Sequence, residues 1–311
     1  MIELYYREGE KQMSEKGRIQ DDNFIMLPTI DFVFKLLFGD VNHKERLISL
    51  ISALLKIPIA EFEGIELLNS ELQKLFEDDK LGILDIRAKM KDGKQLDIEI
   101  QVLPTVYMPE RSLYYWSKMY TTQAKEGDSF KVLKKCITIN ILDYKFLPVK
   151  KMHTCYHLKE DDTGHQLTDV IEVHFCELEK LRDMTDISDL NDPSVDWLRF
   201  IGAKTKGEME MAANNNEMIK DAYNYLQVIS KDEQKRLAYE ARQMDLMDRK
   251  TREEEAEERG RKEGIKEGIK EEKYEVAREA LKNGADVSFV AKITKLDIDT
   301  VKEILKEISN E

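Results

Sequence analysis

The sharpest alternation of apolar and polar positions runs from Leu81 to Leu103, LGILDIRAKMKDGKQLDIEIQVL. Leu84, Ile86, Ala88 and Met90 fall on one face, and Asp85, Arg87 and Lys89 on the other. After a short break, Leu96, Ile98, Ile100 and Val102 share a face opposite Asp97, Glu99 and Gln101. A period of two predicts a pair of strands. Lys91-Asp92-Gly93-Lys94 between them suits a three-residue hairpin loop with Gly93 left-handed. A Met90–Lys94 closing pair then sets Asp85 opposite Glu99. A two-residue loop would set Asp85 opposite Ile100 and mismatch every face, a slip that is costly when one face is buried.

Helical spacing dominates elsewhere. Leu27-Pro28-Thr29 reads as a helix start, with Thr29 or Asp31 as cap; the helix breaks at Gly39 and resumes near Asn42, where Leu47, Leu50, Ile51, Leu54 and Leu55 form an apolar stripe. Residues 57–68 read as a loop or short strand, and 69–80 as a polar bridge in which Ser70–Lys74 is a candidate helical turn. Glu110–Gly127 reads as a helix with Leu113, Trp116, Met119 and Tyr120 on one stripe and Gly127 as its stop. Cys136–Leu142 is apolar almost throughout, as a central strand is. Residues 153–160 and 168–178 read as two further strands about a turn at Asp161–Gly164.

Beyond about residue 180 the pattern turns helical. Residues 196–202 are apolar enough to dock on a core, and Met209–Ser230 and Lys231–Glu258 read as long polar helices, with Ser230 and Glu233 as a capping box. EGIK occurs twice between Glu258 and Lys273, and glycine at that spacing makes a marginal helix or a hinge. The last residues, from Tyr274, form a small helical tail shaped like a helix-turn-helix; its second helix is too acidic to read a major groove, which favours protein contact or self-association. The partition is thus an arm (1–22), an α/β domain (23–204), a helical extension (205–258), an EG-rich linker or marginal helix (259–273) and a helical tail (274–311).

Composition adds limits. Of the 311 residues, 36% are charged, 41% are hydrophobic, and no apolar run approaches the ~20 residues of a membrane span. The polar N-terminal stretch lacks the apolar core of a signal peptide, so the expected location is cytoplasmic, with Cys136, Cys155 and Cys176 reduced. A net charge of −13 argues against indiscriminate nucleic-acid binding, although Lys131, Lys134 and Lys135 make a small basic cluster. His153 and His157 share a side of their strand, but no Cys or acid completes a ligand set, and ordinary polar-edge histidines are expected.

The hairpin carries the candidate chemistry. Two carboxylates directly opposite one another destabilise a sheet, and a divalent cation between them would remove the repulsion. Spacing alone favours a half-exposed hairpin with a wet polar face, with Arg87 or Lys89 neutralising the acids. Asp31 and Lys35, four apart on a helix, fit a surface ion pair.

Three elements in order carry a resemblance. They are Asp31, Phe34, Lys35, Leu37, Phe38 and Gly39 in a D–x–x–F–K–x–L–F–G helix; Asp85 followed by Glu99-Ile100-Gln101; and Arg111, Tyr114 and Tyr115 in R–x–x–Y–Y. With the EG repeats, these resemble the recombination-promoting nucleases and transposases of the PD-(D/E)XK superfamily, in which ExQ replaces ExK. Leu84 stands where a proline often precedes the Asp. The resemblance implies an α/β, restriction-endonuclease-like core with a mixed central sheet flanked by helices, followed by an all-α C-terminal extension. It also implies a Mg²⁺-dependent DNA endonuclease associated with recombination or mobile elements. Asp85, Glu99 and the Ile100 carbonyl would hold the metal. Gln101 would orient water, Lys35 would stand in for the missing lysine, and Arg111 and Tyr115 would meet DNA. The alternative is a catalytically weak or inactive protein of that fold, serving as an assembly or nucleic-acid-binding module.

Overall fold

The computed structural model describes residues 24–69, 71–72, 82–183 and 192–309. The expected N-terminal arm and the Ser70–Lys74 turn lie outside the described residues, apart from Glu71 and Leu72. The chain divides into two compact units between Met244 and Asp245.

The first unit opens with α1 (Asp31–Phe38) and α2 (Lys44–Leu55). Neither expected cap is used at α1: its N-cap is Ile30, with no side-chain hydrogen bond. Val33, Phe34, Leu37 and Phe38 are buried along α1, and Leu47, Leu50, Ile51 and Leu54 along α2. Next come the strands β1 (Glu66–Leu68), β2 (Glu71–Leu72), β3 (Gly82–Ile83), β4 (Ile86–Lys89) and β5 (Gln95–Gln101), of which β2 and β3 form a separate two-stranded sheet. Helix α3 (Met108–Thr121) leads to β6 (Cys136–Leu142), β7 (His153–Tyr156) and β8 (Ile171–Glu177).

The main sheet has six strands in the order β1-β4-β5-β6-β8-β7. The β5–β6 and β6–β8 pairs are parallel and the others antiparallel. This mixed sheet, flanked by helices and followed by an all-helical region, is the α/β architecture anticipated. Every residue of β6 is buried, as its apolar run requires.

Short α4 (Leu178–Arg182) and α5 (Pro193–Gly202) follow. Trp197 of α5 stacks edge-on to Phe38 at 5.5 Å and donates through Nε1 to Ser49 Oγ at 3.2 Å, which ties α1, α2 and α5 into one apolar layer.

The helix read over 209–230 is two helices, α6 (Lys206–Ala213) and α7 (Glu217–Ser230). The capping box belongs to Thr205 and Glu208, and the Asn216 side chain caps α7. Ser230 is unavailable for the box assigned to it, because it ends α7 and its Oγ accepts from Met26 N at 3.0 Å. Asp232 accepts instead from Lys235 N at 3.0 Å.

Helix α8 (Glu233–Lys282) runs for 50 residues without interruption, so the EG-rich segment is helical. Pairs at i,i+4, such as Lys262–Glu258 at 2.7 Å, offset part of the glycine penalty. In the second unit, α9 (Val287–Thr294) and α10 (Ile298–Ser309) complete the tail, and Val290, Ala291, Val301 and Ile304 enclose Ala277 and Leu281. Among the described residues no helix is long and apolar enough to cross a membrane.

Candidate functional site

The hairpin has the register set by its loop. Ile86 pairs with Ile98, Arg87 with Asp97, Ala88 with Leu96 and Lys89 with Gln95. Met90 N donates to Lys94 O at 2.8 Å, and Gly93 has φ +92°, a conformation that penalises a Cβ. Extending this register one step brings Asp85 beside Glu99.

Asp85 lies just outside the ladder, and side chains replace the backbone pairing there. Asp85 N donates to Glu99 Oε1 at 2.9 Å, and Ile100 N donates to Asp85 Oδ2 at 2.8 Å. Each acid is therefore held by the other strand's main chain. Strand geometry puts the Ile100 carbonyl on the same side as its N–H, toward Asp85.

Two cations complete the cluster. Lys35 of α1 reaches Asp85 Oδ1 at 3.1 Å, which replaces the expected surface pair with Asp31 by a contact fifty residues distant in sequence. From the first turns of α3, Arg111 donates to Glu99 Oε2 and to Gln101 Oε1, both at 2.8 Å. The guanidinium lies 5.4 Å from the Tyr115 ring centroid. Gln101 Nε2 donates to Leu103 O at 3.1 Å, so one amide N–H is left for another acceptor. The structure thus gathers Lys35, Asp85, Glu99, Ile100, Gln101, Arg111 and Tyr115 in one place. Arg111 faces inward, onto the acids.

The polar row of β5 is not a wet face. Asp97 and Glu99 are each 1% exposed. Helix α3 lies over this side of the sheet: Ser112 Oγ donates to Asn140 Oδ1 at 2.9 Å, and Trp116 Nε1 to Cys136 O at 3.0 Å. The stripe that α3 buries differs from the one read in sequence. Ser112 is inside and Leu113 is 48% exposed, and the helix ends at Thr121, well short of Gly127.

Burial sets the electrostatics. Desolvation, then the Asp85 charge, pushes Glu99 up to about 7 from its usual 4.5. Asp97 is driven well above the usual carboxylate range by burial first and by Glu99 and Asp85 next. Among the described residues, both Asp97 carboxylate oxygens and the neighbouring Thr138 Oγ1 lack a hydrogen-bond partner. Arg87, directly across from Asp97, gives its Nη2 to Gln95 Oε1 at 2.8 Å instead. In the sequence Asp97 shares the Glu99 face, where a second metal ligand or, in preference, a solvated acid is expected; the structure buries it.

The histidines are not scattered along a polar edge. His153, Cys155 and His157 project from one side of β7 and its extension toward Glu172 and His174 on β8. Cys155 and Glu172 supply the thiol and the acid that sequence reading found missing. Cys155 falls between the two histidines at period two, which was the available signal.

No curated protein and no solved structure matches the chain. A family model for PD-(D/E)XK nuclease family transposases matches residues 28–256, a span that holds the α1 helix, the acidic hairpin, α3 and the whole main sheet. Nucleases of this superfamily act on DNA and generally use divalent metal ions. With the match covering most of the sequence and the mixed sheet presenting the paired acids, the chain belongs to the PD-(D/E)XK nuclease family transposases.

Proposed function

We propose that this protein is a Mg²⁺-dependent DNA endonuclease that hydrolyses phosphodiester bonds in the service of recombination or mobile elements. The observation that carries the reading is the interlocked Asp85–Glu99 pair, two like charges held side by side with Glu99 buried and its proton affinity raised. The donor set fits a hard cation: carboxylate oxygens, a strand carbonyl, and an Asp97 carboxyl with both oxygens unpartnered. Asp85, Glu99 and the Ile100 carbonyl would hold the ion, with the buried Asp97 carboxyl behind them as a further oxygen donor. A bound Mg²⁺ would supply Lewis acidity toward a phosphate oxygen and lower the pKa of water.

The chain's own residues do the rest. Arg111 fixes the Glu99 carboxylate, and Gln101 fixes Arg111 while keeping one N–H to orient a water. Lys35 holds its ammonium beside Asp85, where it faces charge building on the phosphate. Hydrolysis breaks one P–O bond. Water supplies the hydroxyl that joins phosphorus, and its second proton leaves with the departing oxygen. Tyr115 and the outer side of Arg111 are the proposed DNA contacts.

One observation favours a second reading, an assembly or nucleic-acid-binding module of the same fold with little or no activity. The four oxygens of Asp85 and Glu99 already face Lys35, Arg111 and two main-chain amides. Supercoiled DNA with Mg²⁺ separates the two. The nuclease reading expects nicked or linear product from wild type and a loss of about 100-fold or more in Asp85→Ala and Glu99→Ala. Absence of cleavage across several divalent ions and substrates, or equal cleavage by all three proteins, would exclude it.

A further inference from the structure

The far edge of the main sheet, β8 and β7, carries a second constellation, separated from β5 by β6. Strands β7 and β8 are antiparallel, with Cys155 opposite His174. Two residues further, the same register brings His157 to Glu172, and their Nε2 and Oε2 lie 3.3 Å apart. Cys155, His157, Glu172 and His174 therefore project from one side of two neighbouring strands.

The donor atoms converge. Cys155 Sγ lies 3.6 Å from His174 Nε2 and 3.8 Å from His157 Nδ1. His174 Nε2 lies 2.7 Å from Glu172 Oε1. Ligand atoms of Cys155, Glu172 and His174 all fall within 4.8 Å of one another. A tetrahedral ion with bonds of about 2.0 to 2.3 Å sets its ligands roughly 3.3–3.8 Å apart; the Sγ–Nε2 spacing matches, and the His174–Glu172 hydrogen bond at 2.7 Å would open to admit the ion.

We propose that Cys155, Glu172 and His174 form a three-residue Zn²⁺ site that staples the edge strand β7 to β8, with its fourth position open to water. Thiolate, imidazole and carboxylate together select a borderline cation over the hard Mg²⁺ of an all-oxygen site. The surroundings are arranged for it. An ion on His174 Nε2 leaves the ring proton on Nδ1, and His153 Nε2 sits 2.8 Å away to accept it. Such an outer partner fixes the ring and its tautomer. Lys135 binds Glu172 Oε2 and leaves Oε1 for the ion. Cys155 is exposed, so the ion enters from solvent, and the thiol proton is released to the buffer.

This site is independent of the acidic hairpin and of any nuclease activity. The test uses the full chain, stripped with chelator, then titrated with Zn²⁺ in excess Mg²⁺ and, in parallel, with Co²⁺. The expected result is one Zn²⁺ per chain by elemental analysis, a raised melting temperature, and a thiolate-to-cobalt charge-transfer band. Cys155→Ser alters an exposed position and should remove the band with at least ~100-fold weaker binding. His153→Ala should weaken binding by about 10–100-fold. Asp85→Ala should leave the Zn²⁺ affinity unchanged. No bound Zn²⁺, a cobalt complex without the thiolate band, or unaltered binding in a folded Cys155→Ser protein would overturn the proposal.

Discussion

Replacing Glu99 with Gln should make the metal-free protein relatively more stable as the pH rises. Glu99 has a folded pKa of about 7 against an ordinary 4.5, because burial and then Asp85 disfavour its charge. For a carboxyl raised in this way, the protonated form favours folding. The stabilising contribution is complete below 4.5 and is lost as pH rises through 7. Linkage over these two values makes the penalty about 0.8 kcal/mol near pH ~5 and about 3 kcal/mol near pH ~8. Glutamine keeps the shape and stays neutral. Whatever the variant loses at the Arg111 contact enters at both pH values and cancels in the comparison. The stability difference, variant minus wild type, should therefore grow by about 2.5 kcal/mol between the two conditions. Asp97 moves it the same way, since the variant removes its largest Coulombic burden.

The assay is urea denaturation in chelator, followed by tryptophan emission. Both tryptophans, Trp116 and Trp197, lie in the first unit, so the signal reports the unfolding of the part that holds the site. Excess Mg²⁺ should erase the wild-type deficit at high pH, because a cation beside Glu99 favours its charged form. Parallel pH profiles for wild type and Glu99→Gln would refute the reasoning, since they would mean that Glu99 ionises at no cost in the folded protein.

Three further outcomes follow from the geometry. Arg111→Ala leaves Glu99 Oε2 and Gln101 Oε1 without their donor and should cost about 1–3 kcal/mol in the same urea assay; Arg111→Lys should recover only part, because an ammonium cannot repeat the two-pronged contact. Gly39→Ala would set a Cβ 2.7 Å from the Lys35 carbonyl oxygen, so it should cost roughly 1–2 kcal/mol and lower any DNA cleavage by displacing the turn that carries Lys35. Along α8 nothing lies within 4 Å of a Cβ built at Gly264 or Gly268, and alanine at each should raise helix stability by about 1 kcal/mol, read as a higher helical melting midpoint by circular dichroism.

The acids behave as a strained pair held by the fold. Main-chain amides of two strands grip them, α3 shuts water away from Glu99 and Asp97, and Lys35 and Arg111 supply the opposing charge. Burial raises the cost of ionising Glu99 and Asp97, and carboxyls perturbed in this way are characteristic of functional sites.

What the sequence determined by itself was local. Period-two alternation and the left-handed demand at Gly93 were enough to specify the hairpin register, and with it Asp85 beside Glu99. The apolar run of β6 announced a central strand, and the motif helix did break at Gly39. Helix ends were less legible, because capping is competitive: Ser230 suited a box in sequence but was taken by Met26, and Thr205 capped elsewhere. What only the tertiary structure decided depends on which surfaces meet. Polar alternation is the same in a wet strand and a buried one, and only the packing of α3 sealed Asp97 and Glu99 from water and turned Arg111 onto them. Lys35 found Asp85 across fifty residues, and the Cys155–His174 pair exists only because β7 lies antiparallel to β8. Turn geometry and side-chain period act over a few residues and can be read along the chain; burial and charge pairing are set by contacts between distant segments.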